Sequence, residues 1–84
     1  MVVEIEAPEL GPNVTEITIV KWHKEIEELV EKGEVLVELM TDKVNNEMES
    51  PVTGIVLELL YEKDEVVKVG EVMARIEEKN GSPS

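Results

Sequence analysis

Short runs in which β-branched and other apolar residues alternate with polar ones recur along this chain, and clusters of glycine, proline and acidic residues separate them. The clearest runs are residues 2–6, 15–23, 34–39 and 45–50, and they predict strands. Residues 24–32 have helical propensity, but we favour strand and turn there because a similar segment recurs later with strand character. The pattern therefore predicts an all-β domain.

The second half of the chain repeats the first. An offset of 37 residues carries Gly33 onto Gly70, together with the acidic and apolar residues around it. Upstream, an offset of 43 carries Pro8 onto Pro51, which leaves about six additional residues in a loop of the first half, around residues 12–17. Each half contains about four short strands and cannot bury its apolar side chains alone. We expect the two halves to pack as facing sheets around a shared core.

The core predicted from strict alternation along the strands includes both halves. Its members are Val3, Ile5, Ile19, Trp22, Val30, Val35, Val37, Leu39, Met48, Ile55, Leu57, Leu59, Val67, Val72, Ala74 and Ile76. Trp22 is interpreted as a core or core-edge side chain rather than a ligand contact, because a small domain needs its largest apolar residue for burial.

Composition narrows the function classes. A chain of 84 residues forms one small domain without room for a deep catalytic cavity. The net charge of −12 repels nucleic acid, and the chain has no apolar run of membrane-spanning length and no signal-peptide pattern in residues 1–10. Cysteine is absent, which fits a reducing compartment, and His23 has no partner at metal-ligand spacing, so no metal site is expected. The acidic residues are densest between positions 25 and 34, where they form either a solvated face or a docking surface for a basic partner.

One lysine has an informative place in the repeat. The polar pair Thr41-Asp42 between two β-forming runs predicts a hairpin turn that presents Lys43 to water. Lysines are common at turns and sheet edges, so the residue type alone says little. However, the junction of the two halves falls at Lys43, and the repeat carries this lysine onto Asn80, where the second half ends. If a two-fold axis relates the halves, Lys43 and the chain termini lie at opposite ends, as a carrier arm requires.

The residues around this lysine resemble the lipoyl domain of the dihydrolipoamide acyltransferases of 2-oxo acid dehydrogenase complexes. The resemblance covers nearly the whole chain and is carried by Pro8-Glu-Leu-Gly11, Thr15-Glu16, Ile19-Val-Lys-Trp22, Val30-Glu-Lys-Gly33, Thr41-Asp42-Lys43, Ser50-Pro-Val-Thr-Gly54 and Val69-Gly70. It implies a flattened barrel or sandwich of two four-stranded antiparallel sheets with quasi-two-fold symmetry. We expect this domain to cover residues 1–79, and residues 80–84 resemble the start of a flexible linker in a longer protein.

The resemblance also implies a function. Lys43 would carry lipoate in amide linkage and shuttle acyl groups and reducing equivalents between a thiamine-dependent 2-oxo acid decarboxylase, the acyltransferase catalytic domain and dihydrolipoamide dehydrogenase. The domain itself would catalyse nothing, and a lipoylating enzyme would be a further partner. We expect an isolated domain to be monomeric, in a bacterial cytoplasm or a mitochondrial matrix.

Two neighbours and one loop have implied roles. Asp42 and Val44 either only shape the turn or also help the lipoylating enzyme to recognise the lysine. By resemblance, the enlarged loop lies near the lysine and helps the decarboxylase recognise its own domain; the alternative is a plain loop. The loop residues in question are Gly11, Pro12, Asn13 and Val14.

The sequence departs from the family at several positions. Glycines usual in its turns are replaced by Ile17, Glu27 and Asp64, so those turns must use another geometry or bear strain. Asn46 occupies a position that is usually apolar, and an inward-facing amide there would need hydrogen-bond partners.

Three other functions remain open at this point. A biotinyl carrier domain shares the fold, but its lysine usually lies between two methionines, whereas Lys43 is flanked by Asp42 and Val44. An unmodified adaptor would keep the fold without the arm. An enzyme with Lys43 as nucleophile is disfavoured, because an exposed lysine is protonated at pH 7 and no desolvating pocket is evident.

Overall fold

The computed structural model describes residues 1–42 and 44–79. Eight strands lie within these residues: β1 (Val2–Glu6), β2 (Glu16–Trp22), β3 (Leu29–Val30), β4 (Val35–Thr41), β5 (Val44–Glu49), β6 (Gly54–Leu59), β7 (Val66–Lys68) and β8 (Val72–Glu78). They form two antiparallel four-stranded sheets, with strand orders β1-β8-β6-β3 and β5-β4-β2-β7. The predicted fold class is confirmed, and the acid-rich segment 24–32 contains turns and a short strand, as expected.

The sheets do not correspond to the two halves of the chain. Each sheet takes two strands from β1–β4 and two from β5–β8, so the halves interleave. The expectation that each half forms one of the facing sheets was therefore wrong. The symmetry itself is confirmed: replacing β1 by β5, β2 by β6, β3 by β7 and β4 by β8 converts the order of one sheet into that of the other.

Two matching β-bulges explain part of the core. In β4, Leu36 is an additional residue between the paired residues on either side of it, and in β8 Met73 has the same place 37 positions later. A bulge interrupts the alternation of side chains, so two successive residues face the same side. Leu36 and Val37 are consequently both fully buried, as are Met73 and Ala74. Strict alternation predicted only the second member of each pair.

A second pair of bulges lies in β2 and β6. Val20 and Leu57 are the additional residues there, again 37 positions apart. The β6 bulge lets Val56 and Leu59, three residues apart, both pack toward the core. Val56 is buried and Leu57 is 39% exposed, which is the opposite of the predicted order.

The observed core confirms half of the predicted one. Ile5, Ile19, Val30, Val37, Leu39, Val67, Ala74 and Ile76 are buried as predicted, whereas Ala7, Ile17, Leu36, Val56 and Met73 are buried and were missed. The remaining predicted members other than Leu57 are partly buried: Val3, Trp22, Val35, Met48, Ile55, Leu59 and Val72. Trp22 packs at the edge of the core, as expected, and its indole Nε1 donates to the Tyr61 carbonyl at 2.8 Å.

The positions where glycine was expected behave in two different ways. Ile17 is not in a turn: it is a buried residue of β2, so the prediction of a strained turn there was wrong. Glu27 and Asp64 do occupy left-handed turns, with φ of 77° and 74°, and they are related by the same offset of 37. Residues with a side chain are strained in this conformation, although Asp less than Glu.

Glutamate side chains close the same turns in both halves. The Glu28 carboxylate accepts the Glu25 N–H at 2.8 Å, and the Glu65 carboxylate accepts the Glu62 N–H at 2.7 Å. Part of the acidic composition therefore serves the turns themselves, because a carboxylate satisfies backbone donors that a turn leaves free.

A second repeated contact differs in chemistry between the halves. The Lys24 ammonium lies 3.0 Å from Glu34 Oε2, and at the equivalent place the Tyr61 hydroxyl donates to Glu71 Oε1 at 2.7 Å. The backbone hydrogen bond at Glu31 and then Lys24 lower the pKa of Glu34. The Tyr61 hydrogen bond lowers the pKa of Glu71 and raises that of Tyr61 in turn.

Glycine at either left-handed position should stabilise the domain. We expect Glu27→Gly to raise the free energy of unfolding by about 0.5–1 kcal/mol and Asp64→Gly by less, because glycine relieves the strain but increases the entropy of the unfolded chain. Urea denaturation of each variant measures this. Lys63→Gly, at an exposed neighbouring position with ordinary φ, is the control and should destabilise by about 0.5–1 kcal/mol. Equal loss in all three variants would show that the turns are unstrained.

The Glu71 contact should make stability depend on pH. Because the folded pKa of Glu71 lies below its ordinary value of 4.5, ionised Glu71 stabilises the fold above that value, and the contribution is lost as pH falls through the folded pKa. Glu71→Gln should therefore be less stable than wild type at pH 7, and the difference should shrink below pH 4.5. Denaturation at a series of pH values tests this. Glu9→Gln, on an exposed loop, is the control, and a difference for Glu71→Gln that stays constant with pH would contradict the assignment.

Candidate functional site

The hairpin between β4 and β5 is closed tightly. Thr41 is the last residue of β4, Val44 is the first of β5, and their Cα atoms are partners in the ladder. Thr41 thus belongs to the strand, and the turn predicted at Thr41-Asp42 begins at Asp42. Asp42 has φ of 49°, in the left-handed region that two-residue hairpin connections favour and that aspartate tolerates. Lys43, the predicted attachment residue, lies outside the described residues.

The described residues on either side of Lys43 are accessible. Asp42 is exposed, and Val44 is 57% exposed although it is apolar. An amide-linked arm needs an amine that enzymes can reach and needs no cavity to hold it. The exposed flanks fit such a group, since neither Asp42 nor Val44 is covered by another part of the described chain.

The enlarged loop packs beside this hairpin. It covers residues 7–15, whereas its equivalent in the other half covers only residues 50–53. The Val14 N–H donates to the Gly11 carbonyl at 3.2 Å, and the Val14 side chain packs against the core, which anchors the loop. Asn13 and Val14 line a small depression with Asp42 and other hairpin and strand residues. The predicted proximity of the loop to the hairpin is therefore confirmed, while its role stays a prediction.

The same depression includes residues that the sequence analysis did not select. Thr15, Glu16 and Thr41 line it alongside the loop residues. No sequence signal identified Glu16, because its place near the hairpin depends on the pairing of β2 with β4, which only the tertiary structure shows.

The hairpin and the amino terminus lie at opposite ends of the sandwich. Gly54 pairs with Glu78 beside the Met1 amine, which lies 2.7 Å from a Glu77 carboxylate oxygen. From Gly54 the chain runs through β6 and β7 to Lys68, which pairs with Glu16 at the hairpin end. This path is consistent with the longest dimension of 43 Å. The described part of the hairpin is thus far from Met1.

Other polar residues have structural partners. His23 Nε2 lies 2.6 Å from Glu38 Oε2, and the part of the chain in residues 1–42 and 44–79 contains no group of three or more side chains that could hold a metal ion. Asn46 is half-buried, opposite Leu39, and every described buried side-chain nitrogen or oxygen has a hydrogen-bond partner. The amide therefore does not incur the cost of an unsatisfied buried group. Among the described residues, no helix is long and apolar enough to span a membrane.

Comparisons with known proteins agree on one family. The biotin/lipoyl family, described as biotin-requiring enzyme, matches residues 3–76. The dihydrolipoyllysine-residue acetyltransferase component of the pyruvate dehydrogenase complex of Corynebacterium glutamicum is 47% identical over 79 residues, which are 94% of this chain and 12% of that protein. The dihydrolipoyllysine-residue succinyltransferase component of the 2-oxoglutarate dehydrogenase complex of Bacillus subtilis is 42% identical over 81 residues, 96% of this chain and 19% of that protein. This chain therefore spans less than a fifth of the length of these relatives.

A solved structure gives the same answer. The solution structure of the lipoyl domain of the 2-oxoglutarate dehydrogenase complex from Azotobacter vinelandii superposes with a TM-score of 0.77 at 29% identity. The match covers 90% of this chain and 96% of that domain. The match thus extends over nearly all of that lipoyl domain.

Proposed function

We propose that this chain, which belongs to the biotin/lipoyl family, is a lipoate-bearing carrier domain of a 2-oxo acid dehydrogenase complex. The observation that carries the proposal is the tightly closed β4–β5 hairpin, in which left-handed Asp42 immediately precedes Lys43 in the sequence. A carrier lysine must be reached by several different enzymes. Exposed Asp42 and Val44, at the end of the sandwich away from Met1, support that role for Lys43.

Lipoate is favoured over biotin as the attached group. Relatives that are 40–47% identical are named as dihydrolipoyllysine-residue or lipoamide acyltransferase components, although the family description mentions biotin. The residues flanking Lys43 are Asp42 and Val44, and neither is the methionine usual beside a biotinyl lysine. These relatives belong to pyruvate, 2-oxoglutarate and branched-chain 2-oxo acid complexes, so the proposal is made at the level of the class.

The residues of this chain contribute position rather than catalysis. When attached, lipoate supplies a cyclic disulfide that can be reduced, acylated and reoxidised. Amide formation at Lys43 consumes a nucleoside triphosphate on the lipoylating enzyme: activation of the lipoate carboxyl releases pyrophosphate, and the lysine amine then displaces the nucleoside monophosphate, which keeps the carboxyl oxygen. The reaction replaces an ammonium by a neutral group. The hairpin then tethers the arm, which raises its effective concentration at each partner's active site. The proposed partners are a thiamine-dependent decarboxylase, an acyltransferase catalytic domain and dihydrolipoamide dehydrogenase.

The loop beside the hairpin is proposed to serve partner recognition. Asn13 is exposed on that loop and lines the depression that also contains Asp42. A decarboxylase that binds the arm would also contact this neighbouring surface. Asp42 and Val44 would contact the lipoylating enzyme, because they immediately flank the modified residue.

Mass spectrometry of the intact chain tests the attachment. Wild type and Lys43→Arg are each incubated with a lipoylating enzyme, lipoate and ATP, and separately with a biotinylating enzyme, biotin and ATP. We expect a gain of one lipoyl group that is confined to chains retaining Lys43. Lys68→Arg, on β7, is the matched control and should be lipoylated like wild type. A biotin-sized gain would assign a biotinyl carrier, and no gain with either enzyme would assign an unmodified adaptor.

Recognition by the decarboxylase is tested on lipoylated protein. Asn13→Ala should lower kcat/KM for reductive acylation about five- to tenfold through lost contacts, while the rate of lipoylation stays at the wild-type value. Lys79→Ala, at the opposite end of the sandwich, is the control and should change neither rate. Unchanged kcat/KM for Asn13→Ala would mean that the loop residue plays no part in recognition.

A further inference from the structure

A second surface lies midway along the sandwich, on the quasi-two-fold axis. Trp22 and Leu59, which the 37-residue repeat relates to each other, both line an open depression of about 680 Å³. Trp22 pairs with Val37, four residues before Thr41 at the end of β4, so the depression is roughly 13 Å along the strand from the hairpin. We propose that this depression binds a short acidic peptide segment that inserts an apolar side chain between Trp22 and Leu59.

The floor of the depression is apolar and ordered. Trp22 is half-buried, and its ring is held by the hydrogen bond from Nε1 to the Tyr61 carbonyl. Ile26 forms another side of the depression and is 53% exposed, so its side chain is accessible to a ligand there. Burying Ile26 and the exposed part of Trp22 against an apolar side chain would remove this surface from water.

The rim is basic although the molecule is strongly acidic. Lys21, Lys24 and Lys63 line the depression, in a chain with only 8 lysine and arginine residues against 20 acidic ones. Lys24 is engaged by Glu34. Within the described residues Lys21 and Lys63 form no ion pair, despite the abundance of carboxylates.

One carboxylate opposes an anionic ligand. Glu25 also lines the depression, so the charges not engaged elsewhere are two ammonium groups, on Lys21 and Lys63, and one carboxylate. The local balance is positive, which favours an acidic ligand at contact distance, whereas the net charge of −12 attracts basic ligands at longer range. The sign of the peptide that binds therefore distinguishes a specific site from attraction to the whole molecule. The alternative is that the lysine stems simply cover apolar surface.

The two halves contribute different residues to this depression. The position equivalent to Lys21 is Glu58, which is bound to Arg75 at 2.6 Å. The position equivalent to Ile26 is Lys63. Strand β2 contributes Lys21 and the turn between β6 and β7 contributes Lys63, so a lysine from each half lies at the same depression. Glu58 is neutralised by its internal pair with Arg75.

Intrinsic fluorescence can test the proposal, because Trp22 is the one tryptophan in the sequence. The probe is an acetylated and amidated hexapeptide of alternating leucine and glutamate. We expect a saturable shift in Trp22 emission with a sub-millimolar Kd, and we expect this Kd to increase when salt is added. Peptides with serine in place of leucine, or lysine in place of glutamate, should not saturate below about 1 mM. Equal binding of the lysine peptide, or no saturable change with the leucine–glutamate peptide, would overturn the proposal.

Charge variants place the binding on this rim. Lys21→Glu and Lys63→Glu should each raise Kd about three- to tenfold, and Glu25→Gln should lower it about twofold. Lys68→Glu changes the net charge equally, does not line the depression, and should leave Kd unchanged. An equal effect of Lys68→Glu would assign the binding to net charge and overturn the site. Circular dichroism checks that each variant is folded.

The peptide site is independent of the proposed carrier function. Lys43→Arg should bind the leucine–glutamate peptide with the wild-type Kd, whether or not the wild-type chain accepts lipoate. Loss of peptide binding in Lys43→Arg would instead assign the peptide to the hairpin end and overturn a site at Trp22.

Discussion

Interleaving of the two halves is the constraint on which the rest of this structure depends. Each half supplies two strands to each sheet, so neither half has a complete face to bury without the other. The chain therefore crosses from one sheet to the other at equivalent places in each half. The repeated bulges at Leu36 and Met73, and the repeated left-handed turns at Glu27 and Asp64, are the local solutions to that shared problem. The bulges place additional side chains in the continuous core, and the left-handed turns lie exposed at its edge.

Among the described residues, the two halves differ most in the length of one loop. The longer loop of residues 7–15 breaks the symmetry at the hairpin end, where Val14 anchors it and Asn13 meets the edge of the hairpin. Symmetry also separates this end from Met1, because the operation that exchanges the halves exchanges the ends.

The middle of the sandwich has a different chemistry from the hairpin end. Lys24 and Tyr61 occupy equivalent positions, and each contacts the equivalent glutamate of its own half, Glu34 or Glu71. Both side chains are therefore used for contacts within the domain. Lys21 and Lys63 are not used in this way, and they border the apolar depression at Trp22. One small domain thus has two separate surfaces: an exposed hairpin suited to covalent modification and a basic-rimmed apolar depression suited to reversible contact.

The sequence by itself determined the strands, the two-fold repeat, the enlarged loop and the hairpin turn at Asp42. These features are encoded locally, by the alternation of apolar and polar residues, by turn formers such as Asp42 and by the constant spacing between equivalent residues of the repeat. Only the tertiary structure decided that the halves interleave, that Ile17 is buried in a strand, and that Leu36 and Val56 rather than Leu57 belong to the core. The physical reason is that strand order and bulge position depend on pairing between residues far apart in the chain, and a single bulge changes which side of the sheet the following residues face.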